Sequence, residues 1–233
     1  RTDPAASGSR GPDGTRASGH EDRDARSSRA AARAGRRPLS ATAVRLLPIA
    51  AALASVAVLA LCARIEARFA PFCWVALVPW LLWLGRADRT RTVLLTSWFF
   101  AVGFSCAVFG WFARGIAAYA DAPVWQGWLA LALLAPVLQP QFITHALARN
   151  WLARRHASWL PVALASACVY VASEWALPKL FEDTLGHGLS PSRHLRQAAD
   201  LAGAPGLTLA ILLGNECVCA ASRQRDLRPL PGL

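Results

Sequence analysis

From Leu46 onward, long apolar runs alternate with short polar joints, whereas residues 1–44 hold almost no large apolar side chain. A helix needs about 20 mostly apolar residues to cross the hydrocarbon core of a bilayer. Six segments fit: residues 46–62, 69–84, 93–112, 124–147, 159–177 and 201–221. They are too long for buried strands and show no two-residue alternation, which argues against a β-barrel. Pro71, Pro79, Pro136 and Pro140 interrupt them. In a bundle, neighbouring helices can satisfy the backbone groups that prolines free. The pattern predicts an all-α, polytopic transmembrane helix bundle of about six spans behind a polar head.

Residues 1–37 are rich in Gly, Ser, Ala, Asp and Arg. Such a stretch buries too little surface to offset its ordering entropy, and it reads as a disordered tail. It lacks the short apolar region and small-residue cleavage site of a signal peptide. The expected organisation is a disordered cytoplasmic tail over 1–44, a transmembrane domain over 45–222, and a truncated cytoplasmic tail over 223–233. Residue 1 is Arg and the chain has no Met, so either a start codon upstream or a broken gene model is expected.

The joints set the orientation. With the head inside, Arg86, Arg89 and Arg91, then Arg149, Arg154 and Arg155, then Arg223, Arg225 and Arg228 all fall inside. The outer joints, 63–68, 114–123 and 178–200, are weakly or mixedly charged. The excess of arginine on one side selects a multi-pass inner-membrane protein with a cytoplasmic N-terminus. The ten tryptophans lie in or beside the spans, many near their ends, as an aromatic belt would place them.

Composition agrees. With 55% hydrophobic and 17% charged residues, the chain is too apolar for a soluble domain. The net charge of +11 raises nucleic acid as a partner. The arginines, however, crowd the head and the joints rather than a folded face, which excludes it. Cys62, Cys73, Cys106, Cys168, Cys217 and Cys219 lie in or beside apolar runs without a CxxC pair. They read as small hydrophobes, with neither a disulfide framework nor a metal site.

A charge inside a span is costly and marks a candidate site. Glu174, near the outer end of the fifth span, has two readings: a structural ion pair with Lys179, or a contact to lipid or substrate. Glu216, toward the inner end of the sixth, reads as a surface group snorkelling toward water and Arg223. Asn215, Gln139, Gln141 and His145 suit hydrogen bonding between helices. Arg114, just past the third span, and Arg193, His194 and Arg196 in the long outer loop could touch anionic head groups or simply be solvated. No phosphate loop, G-x-S-x-G or H-E-x-x-H motif is present, and no cofactor is expected.

Four stretches, taken in order, resemble the apolipoprotein N-acyltransferase family. They are FAPFCWVALVPWLLWL, SWFFAVGFSCAVFGWFARGI, VASEWALPKLFEDTLGHGL and RQAADLAGAPGLTLAILLGN, within residues 46–215. The resemblance implies an enzyme that takes an acyl chain from a phospholipid and passes it to the α-amino group of a lipoprotein's N-terminal cysteine. Its partners would be a phospholipid donor, an apolipoprotein acceptor and the bilayer. It also implies that catalysis belongs to a nitrilase-like domain with a Glu-Lys-Cys triad following a further span. No catalytic residue is therefore expected in this chain, and Glu174, Arg114 and Trp175 are the expected lipid or substrate contacts. A small membrane transporter and a non-catalytic scaffold are the alternatives.

Overall fold

The structure, a computed structural model, describes residues 41–156, 158–177, 179 and 183–227. The predicted disordered stretch 1–37 and the end of the C-terminal tail lie outside the described residues. Seven α-helices occur among those described: α1 Ala41–Cys62, α2 Val78–Leu84, α3 Thr90–Tyr119, α4 Val124–Leu138, α5 Pro140–Ala153, α6 Trp159–Ala176 and α7 Arg193–Leu227. Two short 3-10 helices, Ala70–Trp74 and Leu185–Leu189, complete them. Each of the six apolar segments is helical.

Thr90–Tyr119, Trp159–Ala176 and Arg193–Gln224 are long and apolar enough to cross a membrane, and α4 with α5 forms a fourth span bent by 47°. Leu46–Cys62 and Ala70–Leu84 are shorter apolar helices. The bend has a local cause. Gln139 precedes Pro140, and a residue before proline is driven out of the helical region; its φ/ψ are −128/50. A second break, at Gly203 (φ 65) two residues before Pro205, splits α7. A positive φ of that size favours glycine.

The segment 69–84 shows how a broken helix is held. Pro79 has no N–H, and its ring is disfavoured inside a helix, so the helix restarts at Val78 after the 3-10 turn. In an unbroken helix the Leu77 N–H would bond the Cys73 carbonyl. Instead the Asn215 side chain sits between the two. Leu77 N–H donates to Asn215 Oδ1 at 2.8 Å, and Asn215 Nδ2 donates to the Cys73 carbonyl at 2.9 Å. Ser55 Oγ accepts from the Trp80 N–H at 3.1 Å. Gly214 lets α7 approach this closely, because a Cβ there would lie 2.6 Å from the Trp74 ring. Asn215 thus does the interhelical bonding the sequence assigns it.

Around this splint the core is aromatic. Trp80 stacks on Phe100 with centroids 4.3 Å apart, and Phe142 packs edge-on against Phe100, Phe104 and Tyr170. Trp80 and Trp83 are buried here, so they leave the expected belt. Trp111, Trp125 and Trp175 remain more than half exposed. Where α3 and α4 cross, a Cβ on Gly127 would collide with the Ala113 carbonyl. Small residues admit such close backbone approach when the outer face is meant for lipid. That outer face carries Leu53, Phe99, Leu133 and Leu160, all exposed.

Candidate functional site

The loop after α6 folds back into the bundle rather than lying on its surface. Its 3-10 helix Leu185–Leu189 is pinned by the Gly186 N–H donating to Thr208 Oγ1 at 3.0 Å, with Leu189 buried. Gly186 and Gly188 pass so near the Ala204 carbonyl and Cys73 Sγ that a Cβ on either would clash. The loop thereby closes one side of a cavity of about 200 Å³ at the end of the bundle where α1 and α6 terminate.

The wall of that cavity is apolar where Leu59, Phe104, Val108 and Ile211 meet, and polar where Gln139, Glu174 and Asp183 meet. Glu174 has a side chain only 3% exposed. Lys179 Nζ lies 3.6 Å from Glu174 Oε1 and 3.7 Å from Asp183 Oδ1, an ion-pair distance but beyond hydrogen-bonding reach. Lys179 instead donates to the Asp183 backbone carbonyl. Gln139 Nε2 donates to Asp183 Oδ2 at 3.1 Å, and Gln141 Nε2 donates to Gln139 Oε1 at 2.5 Å. Among the described residues, neither Glu174 oxygen nor Asp183 Oδ1 accepts a hydrogen bond. Buried polar atoms are nearly always paired, and an unpaired charged oxygen is expensive. The cavity edge therefore offers carboxylate oxygens to a donor it does not itself supply.

The expected Glu174–Lys179 ion pair is present, and Trp175 flanks a neighbouring cavity that Glu174 and Lys179 also line. Arg114 does not join them. It is exposed on α3, which continues to Tyr119, so it belongs to a helix and not to the joint after one. Arg193, His194 and Arg196 open α7 and are exposed.

Glu216 corrects the sequence reading. It does not snorkel to the surface but is 5% exposed, and Arg149, equally buried, grips it bidentately: Nε donates to Oε1, and Nη2 to Oε2 at 2.9 Å. The partner lies 67 residues away on α5, a separation no local pattern reveals. His145 sits one turn from Arg149 and bonds the Ser166 carbonyl through Nδ1 at 3.0 Å. All six cysteines are free thiols. Cys62 and Cys73 line the cavity with Glu174, while Cys168, on the same helix as Glu174, is exposed. Among the described residues no group of three metal-ligating side chains forms. Asp183 and Tyr170 are site residues the sequence does not single out, and Cys62 and Cys73, read there as small hydrophobes, line the site; the closely spaced Gly186 and Gly188 are the one signal in the sequence that this loop packs tightly.

A family model described as the apolipoprotein N-acyltransferase N-terminal domain matches residues 44–217. No curated protein and no solved structure matches the chain.

Proposed function

Since the chain belongs to the family of the apolipoprotein N-acyltransferase N-terminal domain, we propose that it is the membrane half of an enzyme moving a fatty acyl chain from a phospholipid to the α-amino group of a lipoprotein's N-terminal cysteine. Its own part is to hold the lipid substrates, while a catalytic domain supplies the chemistry. The observation that carries this reading is the Glu174 cavity: an apolar wall for acyl chains beside two carboxylates that face a single ammonium, that of Lys179. Glu174 contacts the polar part of a substrate there, Trp175 does so from the neighbouring cavity that Glu174 also lines, and Arg114 contacts a head group farther round the same end. The protein sits in a bacterial inner membrane with its N-terminus in the cytoplasm, and the Glu174 cavity opens on the periplasmic side. Reporter fusions after Arg91 and Arg155 are expected to behave as cytoplasmic, and one after Ser192 as periplasmic.

An acyl-enzyme needs a thiol activated by a base, with an oxyanion site beside it. No bond between a cysteine thiol and a side-chain base occurs among the described residues, where Cys62 Sγ instead approaches the Phe69 carbonyl and Cys219 Sγ the Val78 carbonyl. Residues 1–233 are therefore inactive alone. The test is complementation of a strain depleted of its own enzyme, with this chain and with this chain fused to a nitrilase-like acyltransferase domain. Rescue by the fusion only is the expected result. Rescue by residues 1–233 alone overturns the division of labour and makes Cys62 and Cys73, which share the cavity with Glu174, the first residues to substitute.

A further inference from the structure

At the opposite end of the bundle a second cavity, of about 710 Å³, opens where the ends of α2, α5 and α7 meet the start of α6. Two of the three arginine-rich joints bring Arg149, Arg154 and Arg223 to it, and the third contributes Ala87 and Asp88. Arg149 is already spent on Glu216. Arg154 and Arg223 are placed differently, by backbone rather than by carboxylates. Arg154 donates to the Asp88 carbonyl, and the Arg223 guanidinium lies over Gly85, where a Cβ would occupy its place. Among the described side chains neither has an ion-pair partner. Two guanidinium groups thus stand at the rim of the cavity without a carboxylate in ion-pair contact among the described side chains, and its three arginines (Arg149, Arg154, Arg223) outnumber its two acidic residues (Asp88, Glu216) by one positive charge.

A second observation gives the shape of the occupant. A groove of about 420 Å³, lined by Thr90, Leu147, Ala148 and Trp151, shares Asn150 and Arg154 with the basic cavity. Its lining is almost wholly apolar apart from those shared residues and Thr90. A basic pocket that continues into an apolar groove matches an amphiphile with an acidic head and a hydrocarbon chain.

We propose that this end of the bundle binds an anionic phospholipid, its phosphate between Arg154 and Arg223 and one acyl chain along Leu147, Ala148 and Trp151. The planar guanidinium fork matches two phosphate oxygens at once, which a lysine ammonium does not. Basic pockets between membrane helices are suited to such head groups, with the charge-assisted bonds strengthened by partial removal from water. The site uses no residue of the Glu174 cavity, so it stands or falls independently of the acyltransferase reading. Its occupant is a resident lipid, not a substrate.

The test is equilibrium binding of labelled phosphatidylglycerol and phosphatidylcholine, with matched acyl chains, to the purified full chain in a neutral detergent. The wild-type protein is expected to prefer phosphatidylglycerol by about tenfold, a preference that weakens as salt is raised. Arg154→Gln with Arg223→Gln, both at exposed positions, is expected to bring the two lipids level. The matched control, Arg64→Gln with Arg68→Gln at the other end, removes the same charge and is expected to keep the preference. Equal binding of the two lipids by the wild type overturns the proposal. So does an equal loss in the control, which would trace the preference to the net charge of +11. Displacement of phosphatidylglycerol by inorganic phosphate at the lipid's own concentration would overturn the lipid assignment.

Discussion

The two ends of the bundle each bury a glutamate in a helix, and the two are treated in opposite ways. Glu216 meets Arg149 across the bundle in a two-pronged pair that uses both carboxylate oxygens. The Glu174 side chain is as deeply buried, yet among the described residues its cation, Lys179, stands 3.6 Å off and neither oxygen accepts a hydrogen bond. A buried charge that is fully paired is part of the scaffold, and removing its partner leaves an uncompensated charge. A buried charge left short of donors weakens the scaffold, and such a group persists where something else uses it. Burial alone does not separate structure from function here. We propose that the completeness of hydrogen bonding does.

The comparison breaks most visibly at the paired end. Arg149→Ala leaves Glu216 without its partner and is expected to destabilise the bundle by about 3–5 kcal/mol, read as loss of folded protein in denaturant titration. Glu174→Gln is the counterpart. It removes a charge that lacks donors and is expected to leave stability unchanged or slightly raised in the same titration. If both substitutions destabilise equally, the distinction between the ends is lost.

Next in size is the splint. Asn215→Leu strands the Leu77 N–H and the Cys73 carbonyl in an apolar interior, at about 1–3 kcal/mol for each unsatisfied group. Denaturant titration checks this too, and an unchanged midpoint would show that the break in segment 69–84 closes without help. Gly127→Val forces a side chain into the Ala113 carbonyl and is expected to cost about 1–3 kcal/mol through overpacking of the α3–α4 crossing. Trp175→Ala has the smallest expected effect on stability, within about 0.5 kcal/mol, because the ring is 81% exposed. Its effect belongs in a lipid-binding assay, where Trp175→Ala is expected to weaken retention of phospholipid.

The helices were legible because lipid selects for uninterrupted apolar runs, and the six segments follow from that one constraint. The arginine joints were legible for the same reason, and the meeting of two of them at one cavity is what a one-sided distribution along the chain produces in space. What a single sequence hides is pairing at long range. Nothing local distinguishes Glu216, gripped from 67 residues away, from a glutamate reaching for water. Trp80 leaves the expected belt because its ring stacks on Phe100 and meets Phe142 edge-on in the core, partners that lie far along the chain. Gln139 was visible as a polar residue in a span, but its bond to Asp183 depends on a loop whose inward fold only Gly186 and Gly188 hinted at.

If the unsatisfied carboxylate of Glu174 serves function and the satisfied one of Glu216 serves the fold, substituting Glu174 costs activity without costing folded protein. The most direct measurement is complementation by the chain fused to a nitrilase-like domain, with Glu174→Gln introduced and the amount of folded protein in the membrane quantified in the same cells. The expected result is wild-type levels of folded protein with rescue reduced by tenfold or more. Full rescue at wild-type protein levels would show that the Glu174 carboxylate is not needed for function.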